Sequence, residues 1–103
     1  MTSSIRILLV EDDESLGATL AENLQLDGFY VHWLKTGEDA LVELSTREYE
    51  LLLLDRMLPG IQGLEVLKHL RMKSNIPVIM ISAKGNSQDR IEGFEALVDD
   101  YLP

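Results

Sequence analysis

Two short apolar runs that each end on acidic residues constrain this chain more than any other feature. Residues 7–10 (ILLV) run directly into residues 11–13 (EDD), and residues 51–54 (LLLL) run into Asp55. A short apolar run bounded by polar residues is typical of a strand buried on both faces, as in parallel sheets. The two runs therefore predict neighbouring strands of a parallel sheet that is covered by helices on both sides.

The acidic residues at the ends of these runs predict a metal site. In open parallel sheets, ligands bind beyond the carboxyl ends of the strands, where the strand order reverses. If the two strands are neighbours, Asp12, Asp13 and Asp55 converge there, and their mutual repulsion calls for a cation such as Mg²⁺. Each residue also has a simpler interpretation, since acidic residues complement the dipole at a helix start and an Asp can cap a turn.

Composition limits the class of protein. The 103 residues allow one domain, and a formal charge of −9 argues against direct binding of this segment to nucleic acid. Because there is no cysteine, disulfides, thiolate catalysis and cysteine-ligated zinc are excluded. No apolar run approaches the length of a membrane span, and we expect a soluble, cytosolic domain.

Strand and helix signals alternate along the chain, which predicts an α/β fold. Strands are predicted at residues 7–10, 30–34, 50–54, 76–81 and 100–102. Helices are predicted after the first four, on apolar residues at helical spacing: Leu16, Leu20 and Leu24; Ala40, Leu41 and Leu44; Leu64, Leu67 and Leu70; Ile91 and Phe94. Gly28 is expected to end the first helix, Thr36 to cap the second in a capping box with Asp39, and Asn86 or Ser87 to cap the fourth.

A further polar residue follows the fourth strand. Ser82 stands where Asp55 stands on the third strand; alone it is an ordinary turn residue, but here it would add a hydroxyl donor over the same site. No Gly-rich loop follows the first strand, so neither a dinucleotide fingerprint nor a P-loop is present. An Asp carboxylate beside bound Mg²⁺ is a competent nucleophile toward a phosphoryl group and forms an acyl phosphate. Trp33, on the second predicted strand, is expected to lie too far away to report on metal binding.

Four motifs together resemble the receiver domain of bacterial two-component response regulators, over the whole length of the chain. They are residues 7–13 (ILLVEDD), 54–60 (LDRMLPG), 79–84 (IMISAK) and 99–103 (DDYLP). Their order and spacing make the resemblance specific. The wording of residues 57–60 (MLPG) is similar to the subfamily in which a winged-helix DNA-binding domain follows the receiver.

The resemblance implies a fold and a set of site residues. The fold is a doubly wound parallel five-stranded sheet of order 2-1-3-4-5, flavodoxin-like and CheY-like, formed by one domain over residues 1–103. Asp55 is implied as the phosphoacceptor, Ser82 as a hydrogen-bond donor to the phosphoryl group, and Tyr101 as the aromatic whose rotamer reports the switch. The implied ligands of Mg²⁺ are Asp12, Asp13, Asp55 and the backbone carbonyl of Met57.

The implied partners are those of a signalling domain that is not itself an enzyme. A sensor histidine kinase would supply the phosphoryl group, and an output domain absent from this chain would contact DNA and regulate transcription. The sequence stops one residue before the lysine that the family carries after the position of Pro103, and before the last helix. Because the first and fifth helices would share one face of the sheet, we expect this chain to self-associate, most simply as a dimer.

Two other interpretations remain open. A phosphatase of the haloacid dehalogenase type also uses an Asp nucleophile and Mg²⁺, but it needs a second Asp two residues later, where this chain has Met57 after Asp55 and Ser15 after Asp13. A degenerate receiver would be an interaction module that no longer accepts phosphate.

Overall fold

A single sheet of five parallel strands organises the molecule. The computed structural model describes residues 5–55, 58, 63–81 and 100–102, and for the last three it describes the backbone. The strands are β1 Arg6–Val10, β2 Tyr30–Leu34, β3 Leu51–Asp55, β4 Val78–Ile81 and β5 Asp100–Leu102. They pair in the order β2-β1-β3-β4-β5, which confirms the predicted topology. The predicted fourth helix falls outside the described residues.

Within the described part of the chain, three helices cover the two faces of this sheet. They are α1 Glu14–Leu26, α2 Gly37–Thr46 and α3 Gly63–Arg71. Because side chains alternate between faces along a strand, Ile7 and Leu9 of β1 point to one side, and Leu8 and Val10 to the other. The first pair packs with Leu53 and Ile81 against α1 residues Leu20, Ala21 and Leu24. The second pair packs with Leu52, Leu54, Val78 and Met80 against Ala40 of α2 and Val66, Leu67 and Leu70 of α3.

Both ends of α1 are fixed by local hydrogen bonds. At its start the Asp13 carboxylate accepts the backbone N–H of Leu16 at 2.9 Å. At its end Gly28 takes a φ of 98° and donates its N–H to Gln25 O, while Phe29 donates to Leu24 O at 3.1 Å. This pair of bonds is the Schellman motif, which satisfies the last carbonyls of a helix. The prediction that Gly28 ends the helix is confirmed.

The edges of two strands differ slightly from prediction. The fourth strand begins at Val78 rather than at residue 76, because the backbone groups of Ile76 are bonded elsewhere. Its N–H donates to Ser74 Oγ, and its carbonyl accepts a hydrogen bond from the Arg71 side chain at 2.7 Å. The third strand ends at Asp55 rather than before it, and the backbone of Asp55 pairs with Ile81 of β4. Thr36 caps α2 as predicted, and its Oγ1 accepts the Asp39 N–H at 3.1 Å. Among the described residues no helix is long and apolar enough to cross a membrane.

Candidate functional site

Three carboxylates meet at the carboxyl edge of the two central strands. β1 and β3 are adjacent and in register, with Val10 opposite Leu54, so the residues that follow reach the same point. Glu11, Asp12 and Asp55 each place a carboxylate oxygen within 4.8 Å of the others. Asp12 is exposed, whereas Glu11 and Asp55 are only 2% and 6% exposed. The predicted convergence of the two strand ends is therefore confirmed.

The Glu11 carboxyl is buried in an unusual environment. Its Oε2 accepts the N–H of Asp13 at 3.0 Å, while Oε1 is buried and has no hydrogen-bond partner within the described part of the chain. Burial, opposed by the bond from Asp13 and reinforced by the carboxylates of Asp55 and Asp12, raises the pKa of Glu11 to about 7. An unpaired buried oxygen beside two other carboxylates costs free energy unless a proton or a cation joins them.

The sequence interpretation had assigned Asp13, rather than Glu11, to the metal. In the structure the Asp13 carboxylate caps α1, and the three clustered carboxylates are those of Glu11, Asp12 and Asp55. A metal role for Asp13 stays a prediction. The capping role has a recognisable signal, because an Asp directly before an amphipathic helix is a preferred N-cap, and this leaves the two residues before it to face the strand ends.

The sole tryptophan lies against this site, contrary to the expectation that it is too far away. The indole Nε1–H of Trp33 donates to the backbone carbonyl of Glu11 at 2.8 Å. β2 is the neighbour of β1, and Trp33 stands opposite Leu9, close to the end of the strand. A side chain as long as tryptophan can reach from that position to the acidic residues.

Three further predicted site residues lie wholly or partly outside the described residues. Ser82 and Met57 lie outside the described residues, so their assignments stay predictions. The backbone of Tyr101 belongs to β5 and pairs with Met80 of β4. The predicted role of its side chain as a switch stays a prediction as well.

The described residues suit a small, hard divalent cation. Such ions take carboxylate and carbonyl oxygens as ligands, and Mg²⁺ is bound in proteins by one or two carboxylates together with other oxygens. Glu11, Asp12 and Asp55 supply oxygens that lie close enough together to share one ion. Oε1 of Glu11 is buried and has no hydrogen-bond partner among the described residues, which also indicates that a positive group belongs beside it.

Comparison with known proteins gives the family. The response regulator receiver domain matches residues 7–103, which is almost the whole chain. The chain belongs to this family. This receiver domain is 46% identical over 98 residues to the transcriptional regulatory protein CpxR of Escherichia coli K12. The match covers 95% of this chain and 42% of CpxR. It is 38% identical over 100 residues to the phosphate regulon regulatory protein PhoB of Rhizobium meliloti, covering 94% of this chain and 44% of PhoB.

Solved receiver domains have the same fold. The response regulator TrrA of Thermotoga maritima, in complex with Mg²⁺ and BeF, superposes with a TM-score of 0.86 at 33% identity, over 95% of this chain and 84% of that one. The non-phosphorylated HemR receiver of Leptospira biflexa gives 0.85 at 35% identity, over 97% and 82%. By contrast, this receiver domain spans only about two-fifths of the length of the curated relatives that it matches.

Proposed function

We propose that this receiver domain accepts a phosphoryl group on Asp55, with Mg²⁺, from a phosphohistidine of a sensor histidine kinase. The observation that carries the proposal is the position of Asp55, a nearly buried carboxylate at the end of a central strand, beside Glu11 and Asp12. Its family and the Mg²⁺–BeF complex of the relative TrrA support the same assignment. In this proposal the domain is the phosphoryl acceptor of a kinase rather than an enzyme with its own substrate.

The proposed reaction follows from the chemistry of the carboxylate. A carboxylate oxygen of Asp55 attacks phosphorus, the phosphorus–nitrogen bond to the histidine breaks, and the imidazole leaves with the electron pair and takes up a proton. An acyl phosphate remains on Asp55. When bound, Mg²⁺ neutralises the negative charge that gathers on the carboxylates and the phosphoryl oxygens. Glu11, Asp12 and Asp55 would hold that cation.

The proposed consequence is control of an output domain. The curated relatives described above are transcriptional regulatory proteins of more than twice this length. We place the domain in the cytoplasm, where phosphorylation would change its contact with a DNA-binding output domain and so regulate transcription. The second candidate, a degenerate receiver that no longer takes phosphate, is disfavoured by the clustering of Glu11, Asp12 and Asp55.

Beryllofluoride binding tests the proposal. Fluorine NMR should show a bound beryllofluoride signal when the wild-type protein, beryllium and fluoride are mixed with Mg²⁺, and none when Mg²⁺ is removed by a chelator. Asp55→Asn should abolish the signal, because an amide oxygen is a far weaker ligand than a carboxylate. Asp39→Asn, at an exposed position in the first turn of α2, is the matched control and should bind normally. A signal that survives Asp55→Asn, or no signal in the wild-type protein, contradicts the proposal.

A further inference from the structure

The peptide that joins Glu11 to Asp12 is held from β2. Glu11 donates its backbone N–H to Leu34 O at 3.0 Å, and its carbonyl accepts the indole N–H of Trp33 at 2.8 Å. Both backbone groups of Glu11 are therefore bonded to the end of one neighbouring strand. Because the carbonyl of Glu11 is part of the peptide plane that leads into Asp12, the bond from Trp33 fixes the direction in which the chain leaves β1.

The indole is itself held by α1. Gly17 is buried in this helix, and a Cβ built on it would lie 2.2 Å from Cζ2 and 2.6 Å from Nε1 of Trp33. Any side chain at this position would clash with the indole and force the ring to shift. A glycine inside a helix costs roughly 0.5–1 kcal/mol relative to alanine, and the space that it leaves here is filled by the ring.

The side chain of Lys35 also lies near the Trp33 ring. Lys35 Nζ is 5.5 Å from the centre of the Trp33 ring and forms an ion pair with Glu14, the first residue of α1. Lys35 therefore links the ring to the first residue of α1.

We propose that Trp33 is a positioning residue of the magnesium site, whose indole N–H holds the Glu11–Asp12 peptide so that both carboxylates converge with Asp55. This inference rests on the proposed function, because it concerns the same cation. Trp33 does not touch the ion; it acts through the backbone carbonyl of Glu11. The indole N–H is the specific group involved, and it is distinct from the packing of the ring in the core between the sheet and α1.

Magnesium titration by calorimetry tests the inference. Trp33→Phe keeps an aromatic ring and loses the N–H, and we expect roughly three- to tenfold weaker Mg²⁺ binding, the range that one net hydrogen bond supports. Leu24→Ala, which opens the same core cluster without contacting Glu11, is the matched control; it should lose stability and bind Mg²⁺ as the wild type does. Gly17→Ala keeps the N–H but displaces the ring, and should weaken binding as Trp33→Phe does.

The outcomes separate this inference from the function on which it rests. Equal Mg²⁺ affinity in Trp33→Phe and wild type would overturn the positioning role and leave the metal site intact. A wild-type protein that does not bind Mg²⁺ would overturn both. The chain has one tryptophan, so a ¹⁵N-labelled wild-type sample gives a single indole N–H resonance even if the variants do not fold. We expect this resonance to shift on saturation with Mg²⁺, and an unmoved resonance in a protein that binds the ion would also overturn the inference.

Discussion

Replacing Glu11 by glutamine should make the metal-free protein more stable, and increasingly so as the pH rises. The wild-type carboxyl is buried beside Asp55 and Asp12, and its Oε1 has no hydrogen-bond partner within the described residues. A glutamine has nearly the same shape and can still accept the N–H of Asp13. It adds an N–H₂ group that can donate to the neighbouring carboxylates, and it removes one of three crowded charges.

The size of the effect follows from the pKa of Glu11. Burial raises that pKa from 4.5 to about 7, so the folded protein holds the proton more tightly than the unfolded chain does. Below about pH 4.5 the carboxyl is protonated in both the folded protein and the unfolded chain, so it does not change the free energy of unfolding. Between pH 4.5 and 7 the unfolded chain loses the proton first, which lowers the stability of the fold. The loss levels off about one pH unit above 7, where it is on the order of 3 kcal/mol, at about 1.36 kcal/mol per pH unit.

The assay is urea unfolding followed by circular dichroism, in a chelator, at several pH values from 5 to 8. We expect the free energy of unfolding of Glu11→Gln to be close to that of the wild type at pH 5 and higher by up to about 3 kcal/mol at pH 8. Glu22→Gln removes the same charge from an exposed position on α1, and is the matched control that should change the free energy of unfolding only slightly. Saturating Mg²⁺ should reverse the order at pH 8, since the wild type then gains the binding free energy of the ion and the variant lacks one ligand.

Two results would refute this reasoning. A stability difference that does not grow between pH 5 and pH 8 would show that the Glu11 carboxyl titrates normally and is not under strain. An increase that persists unchanged in saturating Mg²⁺ would show that Glu11 takes no part in binding the ion.

Three smaller predictions concern local structure. Gly28→Ala should cost about 1–2 kcal/mol in thermal unfolding, because alanine disfavours a φ of 98°, and Gly28→Asn should cost less. Tyr49→Phe removes the hydroxyl that lowers the pKa of Glu43, so an NMR titration should show a higher pKa for Glu43 in the variant. The variant should be less stable by about 1 kcal/mol near neutral pH, and this difference should vanish as the pH falls through the pKa of Glu43 in the folded protein. Asp13→Ala should lower the free energy of unfolding by about 1 kcal/mol because the N-cap of α1 is lost, whereas Asp13→Asn keeps the cap and should not. Mg²⁺ titration of Asp13→Asn tests the sequence prediction that Asp13 is a metal ligand, because that role requires the variant to bind Mg²⁺ more than tenfold more weakly.

The sheet could be predicted from sequence because its strands leave a simple pattern. Residues 7–10 and 51–54 are apolar throughout, since side chains on both faces are buried, and strands of that kind occur in parallel sheets with helices on each side. The end of α1 could also be predicted from sequence, because the residue with positive φ at a helix terminus is usually glycine, as Gly28 is here. The order of the strands came from resemblance to a family, since apolar runs do not state which strand lies beside which.

The candidate site could be predicted only in part from sequence, because three consecutive acidic residues do not show where α1 begins. Once α1 starts at Glu14, Asp13 is its N-cap, and Glu11 and Asp12 are the residues that accompany Asp55. The part played by Trp33 could not be read from the chain, because its bond to Glu11 joins residues on two strands whose adjacency is a property of the folded sheet.

The most direct test of the central claim is to find where this protein carries phosphate. The wild-type protein is incubated with phosphoramidate, whose phosphorus–nitrogen bond resembles that of phosphohistidine. Intact-mass spectrometry then counts the phosphoryl groups. Peptide mass spectrometry, after borohydride reduction of the acyl phosphate, locates the modified residue. We predict one phosphoryl group, on Asp55, formed with Mg²⁺ and not in its absence, and none in Asp55→Asn. Phosphate on another residue, or equal labelling of Asp55→Asn, would contradict the account.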